Sequence, residues 1–140
     1  MNAVNSVFLD TSGLIAAANT DDEWHSSVLS VWQGLIAGDY ELITTTLVLI
    51  ELGDGLSRVH LRRLAIELYD RIRISNEIHV VQVTAEIETL AWQMFRQHSD
   101  KEWSVTDCAS FAVMRQRAIR LALTTDRHFD QAGFERLVKP

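Results

Sequence analysis

The sequence has 140 residues, of which 47% are hydrophobic, with six glycines, one proline and a formal net charge of −6. This composition excludes a disordered or fibrous protein, and the length predicts one domain over residues 1–140. Nucleic-acid-binding proteins usually carry a basic excess, so the acidic balance argues against that class unless bound cations offset several of the acids.

No segment has the run of about 18 or more apolar residues that a membrane span requires, and the early apolar stretch is too short for a signal peptide. A lone cysteine, Cys108, cannot form an intramolecular disulfide, which favours a reducing compartment. The sequence therefore predicts a cytoplasmic protein with no membrane partner.

The first predicted element is a buried strand over residues 7–9 that ends in Asp10, and a short helix follows from Ser12 to Asn19. A carboxylate at the carboxyl end of a parallel strand can face a ligand site. The same carboxylate can instead cap the following helix. Both interpretations of Asp10 stay open on this stretch alone.

A second helix is predicted with Asp22 as its N-cap and Gly38 as its end. A strand over residues 41–45 then leads into a helix that starts near Thr46. Glu51 lies within this helix among apolar neighbours. An acid in such surroundings is either a solvated position or one that is paired or bound to a metal.

A fourth predicted helix carries the densest positive charge of the chain, from five arginines: Arg58, Arg62, Arg63, Arg71 and Arg73. One interpretation is a solvated helix face with Glu67 and Asp70 as local partners. The other is a surface that binds phosphates, which arginine contacts in a bidentate manner.

The rest of the chain repeats the alternation of strand and helix. We expect a strand over residues 77–83, and then a helix capped by Thr84 whose core side includes five residues: Ile87, Leu90, Ala91, Met94 and Phe95. A further helix begins near Ser104, a strand covers residues 121–124, and a short last strand lies within residues 134–138.

This alternation predicts an α/β fold with three layers, α/β/α, around a central, mostly parallel sheet of four to five strands. Parallel strands end at one edge of the sheet, and a helix that enters the next strand begins at that edge. Asp10, Asp107 and Asp126 can therefore converge there, and Glu51 can approach from the side.

Asp107 also fits a capping box with Ser104, and the structural and functional roles are compatible. Clustered carboxylates repel one another, and Mg²⁺ or Mn²⁺ removes that penalty because these ions prefer oxygen ligands. Such a site suits phosphoryl chemistry, which needs no protein nucleophile. The sequence offers no convincing Ser-His-Asp or Cys-His set.

Four segments, in order and across essentially the whole chain, resemble the motifs of the PIN-domain ribonucleases: Val7–Ser12, Glu51 after its apolar run, Ser104–Ser110 and Thr124–Phe129. The similarity is greatest to the toxins of bacterial VapBC toxin–antitoxin pairs. It implies a Mg²⁺- or Mn²⁺-dependent endoribonuclease with a PIN-like fold, an RNA substrate and a cognate antitoxin protein. It also implies a homodimer, for which the apolar helix over residues 47–56 offers one surface.

The resemblance implies a catalytic, metal-binding quartet: Asp10, Glu51, Asp107 and Asp126. Asp10 and Asp107 would be the principal metal ligands, and the other two would complete the site directly or through water. A metal-activated water would hydrolyse the phosphodiester and leave a 3′-hydroxyl and a 5′-phosphate. Supporting roles fall to three hydroxyls: Thr11, Ser12 and Thr106. Arg127, next to Asp126, is predicted to contribute to RNA binding.

Other interpretations fit less well. A haloacid-dehalogenase-type phosphatase would have an aspartate where this chain has Ser12, and neither Lys101 nor Lys139 is placed for a receiver domain. The main alternative is a non-catalytic PIN-like module that binds a metal or a partner. The intact set of four acids argues against it.

Overall fold

The computed structural model describes residues 5–139 and places five parallel strands in one sheet. The strands are β1 (Ser6–Leu9), β2 (Glu41–Thr45), β3 (Ile78–Val81), β4 (Leu121–Leu123) and β5 (Glu135–Arg136). Their order across the sheet is β3-β2-β1-β4-β5, and each neighbouring pair is parallel. The predicted three-layer α/β fold with a parallel sheet is confirmed.

In the described part of the chain, seven α-helices connect and cover the strands: α1 (Thr11–Ala18), α2 (His25–Ala37), α3 (Thr46–Gly55), α4 (Arg62–Ile74), α5 (Ala85–Gln97), α6 (Val105–Gln116) and α7 (His128–Gln131). A short 3₁₀ helix, Val59–Leu61, precedes α4. Within residues 5–139, no helix combines the length and the apolar content needed to cross a membrane.

Strand β1 lies at the centre of the sheet, and the strand order runs away from it in opposite directions. The chain proceeds outward from β1 through β2 and β3 on one side, and through β4 and β5 on the other. In open α/β sheets ligands bind in the crevice at the carboxyl ends of the strands at such a point. The crevice between β1 and β4 is therefore the expected position of a site.

Gly13 lets α1 pack directly against the end of β4. A Cβ atom at this position would lie less than 3.0 Å from the carbonyl oxygen of Leu123, a separation that real Cβ atoms essentially never show. The backbone N–H of Asp10 also donates to Leu123 O at 3.1 Å. These contacts fix Asp10 and the first turn of α1 beside β4.

An aromatic cluster holds α6 and α7 together on the other side of the crevice. Phe111 lies edge-on to Phe129, with ring centroids 4.9 Å apart, and Trp103 lies edge-on to Phe111 at 5.1 Å. The indole N–H of Trp103 donates to Gln131 Oε1 at 3.0 Å. Because Trp103 is buried, the loop between α5 and α6 is anchored at the crevice.

Two local predictions are wrong. Asp22 does not cap α2, which begins at His25; the Asp22 carboxylate instead accepts from the Trp24 N–H in an Asx turn. Phe95 does not face the core but is exposed on α5; Ile87, Ala91 and Met94 are buried as predicted, and Leu90 is only partly buried. Some bounds also shift, as the strand expected over 77–83 covers only Ile78–Val81.

The apolar side chains of α3 are mostly used within the chain itself. Val48, Leu49 and Leu52 are buried, and Ile50 is the large apolar residue of this helix that is exposed. The exposed Ile50 is the large apolar side chain that this helix offers to a partner copy, and the homodimer expected from the sequence stays a prediction.

Candidate active site

A cleft of about 380 Å³ opens at the carboxyl edge of the sheet, where β1 and β4 end. It is lined by Asp10, Thr11, Ser12, Ile15, Glu51, Glu102, Ser104, Asp107, Asp126 and His128. All four acids that the sequence singles out thus lie in one cleft. They come from the end of β1, from α3, from the first turn of α6 and from the turn after β4.

Asp10 is the most deeply buried acid of the cleft, with only 4% of its surface exposed. It occupies the N-cap position of α1 but makes no side-chain capping bond. Its Oδ2 instead accepts from Ser12 Oγ at 2.9 Å and from Thr124 Oγ1 at 2.8 Å. Burial, with a smaller contribution from the nearby Asp107 and Glu51, raises the pKa of Asp10 to about 7 despite these two hydrogen bonds.

The two hydroxyls that hold Asp10 also connect it to the turn after β4. Ser12 Oγ lies 3.0 Å from Thr124 Oγ1 and accepts from the Thr125 N–H at 3.0 Å. Thr124 Oγ1 in turn accepts from the Asp126 N–H at 3.0 Å. This network fixes the backbone of Asp126 relative to Asp10.

Glu51 reaches the cleft from the middle of α3, where it is half-buried. Thr11 donates a hydrogen bond from its hydroxyl to Glu51 Oε1. Burial raises the pKa of Glu51 in spite of this bond, and repulsion from Asp107, Asp126 and the exposed Asp54 acts in the same direction. Glu51 is therefore an acid held inside the site rather than a solvated position.

Asp107 takes the capping role that the sequence predicts and also lines the cleft. Its Oδ2 accepts from the Ser104 N–H at 3.1 Å, while Ser104 Oγ accepts from the Asp107 N–H at 2.9 Å, which completes a capping box at the start of α6. The same carboxylate faces the cleft. Burial raises its pKa, although hydrogen bonds from His128 and Ser104 oppose that effect.

His128, to which the sequence interpretation gave no role, joins two of the acids. Its Nδ1 lies 2.9 Å from Asp107 Oδ2 and 3.2 Å from Asp126 Oδ2. Its backbone N–H donates to Asp126 Oδ1 at 2.9 Å. Ligand atoms of Asp107, Asp126 and His128 all lie within 4.8 Å of one another, a grouping that could hold a metal ion.

Three of the remaining predicted residues have different positions. Ser12 lies in the centre of the network, whereas Thr106 is half-buried and does not line the cleft. Arg127 is exposed beside the site and is also absent from the lining. Thr124, Ser104 and Glu102 contribute to the site or its lining without having been predicted to do so.

The donor set fits a hard divalent cation. Carboxylate oxygens predominate, and these are the ligands that Mg²⁺ and Mn²⁺ prefer. Burial, with repulsion from neighbouring acids, raises the pKa values of Asp10, Glu51 and Asp107, so their ionised forms are disfavoured in the metal-free site. A divalent cation would supply that charge and favour the ionised carboxylates.

Comparisons with known proteins give a consistent result. The family model described as "PIN domain" matches residues 7–135. A curated relative from Mycobacterium tuberculosis, described as "23S rRNA-specific endonuclease VapC20", is 34% identical over 128 residues. That match covers 91% of this chain and 95% of the relative.

Solved structures agree in fold. The crystal structure of M. tuberculosis VapC20, described as a sarcin-ricin loop cleaving toxin, has a TM-score of 0.86 and 32% identity, and the match covers 95% of this chain and 99% of that one. The structure of VapBC2 from Rickettsia felis bound to a promoter DNA fragment has a TM-score of 0.68, with 94% and 98% covered. At 14% identity, that second likeness shows the fold alone.

Proposed function

The chain belongs to the PIN-domain family and is a homologue of the VapC toxin endoribonucleases, and we propose that its acidic cleft is the catalytic centre that hydrolyses RNA. The observation that carries this proposal is the convergence of Asp10, Glu51, Asp107 and Asp126 on one cleft. These four residues are proposed as the catalytic and metal-binding set.

We propose Mg²⁺ as the resident cation, with Mn²⁺ able to replace it, held by Asp10 and Asp107 and completed by Glu51 and Asp126. Such a cation lowers the pKa of a coordinated water and polarises a phosphoryl oxygen. Separate thermal unfolding series with Mg²⁺ and with Mn²⁺ test the choice of metal, because an ion that binds only the folded protein raises its Tm.

The residues of the chain orient this chemistry rather than take part in it covalently. Ser12 and Thr124 direct one oxygen of Asp10, which leaves the other oxygen of that carboxylate available to the cleft. Thr11 holds Glu51, and His128 holds Asp107 and Asp126 close together. Because these partners limit the motion of each acid, the positions of the attacking water and of the scissile phosphate would be set in advance.

The substrate is proposed to be 23S rRNA. The support is the match to the VapC20 relative, which extends over 95% of that protein at 34% identity. Incubation of purified ribosomes with the protein, followed by primer extension, would locate the cleavage. Cuts confined to one position of 23S rRNA would support the proposal, and cuts confined to other RNAs would contradict it.

The chemistry of the products is a separate test. We expect every cleaved end to be a 3′-hydroxyl and a 5′-phosphate, because a water attacks the phosphorus and the 3′ oxygen leaves. Cyclic phosphate ends would instead require attack by the neighbouring 2′-hydroxyl. They would contradict the proposed mechanism.

We also propose that a cognate antitoxin protein inhibits the chain, and that both act in the cytoplasm. Co-expression with the protein encoded beside this one, followed by affinity purification, tests the first point. The homodimer stays a prediction, which light scattering after size-exclusion chromatography would measure. The alternative of a non-catalytic module predicts metal and RNA binding with no cleavage.

A further inference from the structure

A patch of mixed aromatic and basic character lies next to the acidic cleft. It surrounds a depression of about 440 Å³ lined by Trp92, Phe95, Arg96, Ser99 and Lys101. The first four residues follow the spacing i, i+3, i+4 and i+7 along α5 and just beyond its end, so they share one side of the helix. We refer to these five residues as the aromatic–basic patch.

The aromatic side chains of the patch are exposed, although α5 has ample apolar residues on its inner side. Trp92 is 49% exposed and Phe95 is 42% exposed. Their rings meet edge to face, with centroids 5.5 Å apart at 78°. The α5 helix is attached to the core through Ile87, Ala91 and Met94. About half of the surface of each of these two residues is therefore open to solvent.

The patch carries positive charge in a protein whose net charge is −6. No carboxylate among residues 5–139 lies within 4.0 Å of the Arg96 guanidinium. Lys101 Nζ contacts Asp100 at 2.7 Å in an exposed pair. A lysine ammonium has three donors, so a second, anionic partner can still bind it.

The loop between α5 and α6 contributes residues to both the patch and the acidic cleft. Lys101 lines the patch, and Glu102 and Ser104 line the cleft. Three peptide units separate Lys101 from Ser104, so their Cα atoms are at most about 11 Å apart. The buried Trp103 fixes this loop between them. One extended ligand, such as a nucleic-acid strand, can therefore contact the patch and the cleft at the same time.

Resting on the RNA-cleaving function proposed above, we propose that the aromatic–basic patch binds the unpaired segment of the RNA that flanks the scissile phosphate. Trp92 and Phe95 stack on unpaired bases, and Arg96 and Lys101 contact the phosphates between them. Aromatic platforms beside cationic side chains are suited to single-stranded RNA, because every base has a stacking face and every linkage a negative charge. A duplex, whose bases are already stacked, lacks this complementarity.

The test compares Trp92→Ala and Arg96→Ala with two control variants, Tyr40→Ala and Arg120→Ala. The controls remove an exposed aromatic and an exposed arginine that directly precede β2 and β4, at the edge of the sheet opposite the cleft. Two probes are used. One is a short single-stranded RNA that carries a fluorescent adenine analogue, and the other is the same RNA annealed into a duplex. Binding is measured with chelator, and cleavage with Mg²⁺.

We expect Trp92→Ala to raise the Kd for the single strand by at least about fivefold and to abolish quenching of the analogue's fluorescence. Arg96→Ala should lower the slope of log K against log salt by about one. Duplex affinity and both control variants should stay near the parent. The proposal is overturned if Trp92→Ala leaves Kd and quenching unchanged. A variant that binds RNA normally but has a different molecular mass in solution would show that the patch serves self-association, which also overturns the proposal.

This outcome differs from failure of the proposed function. If the parent protein cleaves RNA and Trp92→Ala binds and cleaves it equally well, the proposal for the patch is wrong and the proposed nuclease function stands. If the parent protein neither binds nor cleaves any RNA tested, both the proposed function and the proposal for the patch are wrong.

Discussion

The Nδ1 atom of His128 lies 2.9 Å from one oxygen of Asp107, which lies 21 residues earlier in the chain. The same nitrogen is 3.2 Å from Asp126 Oδ2. The two carboxylates thus face one shared imidazole, which offsets part of their mutual repulsion and fixes their orientation. Histidines and carboxylates that hold metal ligands in this way tune both affinity and activity.

We expect His128→Ala to lower RNA cleavage by about 10- to 100-fold, because Asp107 and Asp126 lose their common partner. His128→Asn places an amide N–H near the position of Nδ1 and should recover part of the loss. Single-turnover rates and Mg²⁺ dependence measure both effects. Full activity in His128→Ala would show that the imidazole is dispensable.

Gly13→Ala should destabilise the protein by about 1–3 kcal/mol or more, because the new methyl group would collide with the backbone of Leu123. It should also reduce cleavage, since it displaces Asp10 and Ser12 from β4. Gly34→Ala is the matched control: nothing lies within 4 Å of that Cβ, and alanine stabilises a helix interior by about 0.5–1 kcal/mol over glycine. Urea unfolding distinguishes the two. A neutral Gly13→Ala would contradict the close packing of α1 on β4.

The buried Asp10 should make the metal-free protein less stable as the pH rises. Its pKa is about 7 in the folded protein against 3.8 for an ordinary aspartate, so the folded state keeps a proton that the unfolded chain releases. The contribution is fully present below pH 3.8 and is lost as the pH rises through about 7, by up to about 4 kcal/mol.

Asp10→Asn should remove this dependence and become the more stable protein near pH 8 in the presence of chelator. Unfolding free energies of parent and variant at several pH values between 4 and 8 measure the difference. Parallel curves for the two proteins would mean that Asp10 titrates normally.

Arg127 is exposed between the two cleft residues Asp126 and His128 in sequence, and we expect its guanidinium to contact RNA phosphate. Arg127→Ala should weaken RNA binding and lower the salt slope by about one, with Arg120→Ala as control. An unchanged Kd and salt slope would remove Arg127 from the RNA-binding surface.

Much of the site follows from the rules of parallel sheets. Asp10 and Asp126 follow strands that end at one edge, and Asp107 begins the helix that returns from that edge, so their convergence is a consequence of topology. Glu51 was recognisable because a charge among apolar residues needs a partner, and Thr11 supplies one.

The missed features depend on geometry that sequence patterns do not encode. His128 lies in α7, a four-residue helix too short to show periodicity, and its link to Asp107 depends on the packing of Phe129 against Phe111. Phe95 continues the apolar pattern of α5, but it lies beyond the edge of the surface that packs on the core. Asp22 has the composition of an N-cap, yet its carboxylate is satisfied two residues on, before the helix begins.

Cleavage of one RNA by the parent protein and by Asp107→Asn, with Mg²⁺ and with chelator, tests the catalytic role of the acidic cleft most directly. Asparagine keeps an oxygen that can accept from Ser104, so the capping box and the fold should survive. We expect cleavage that requires Mg²⁺ in the parent and falls by at least about 100-fold in the variant, with unchanged circular dichroism. Equal cleavage by the two proteins, or cleavage by the parent that persists in chelator, would contradict the assignment.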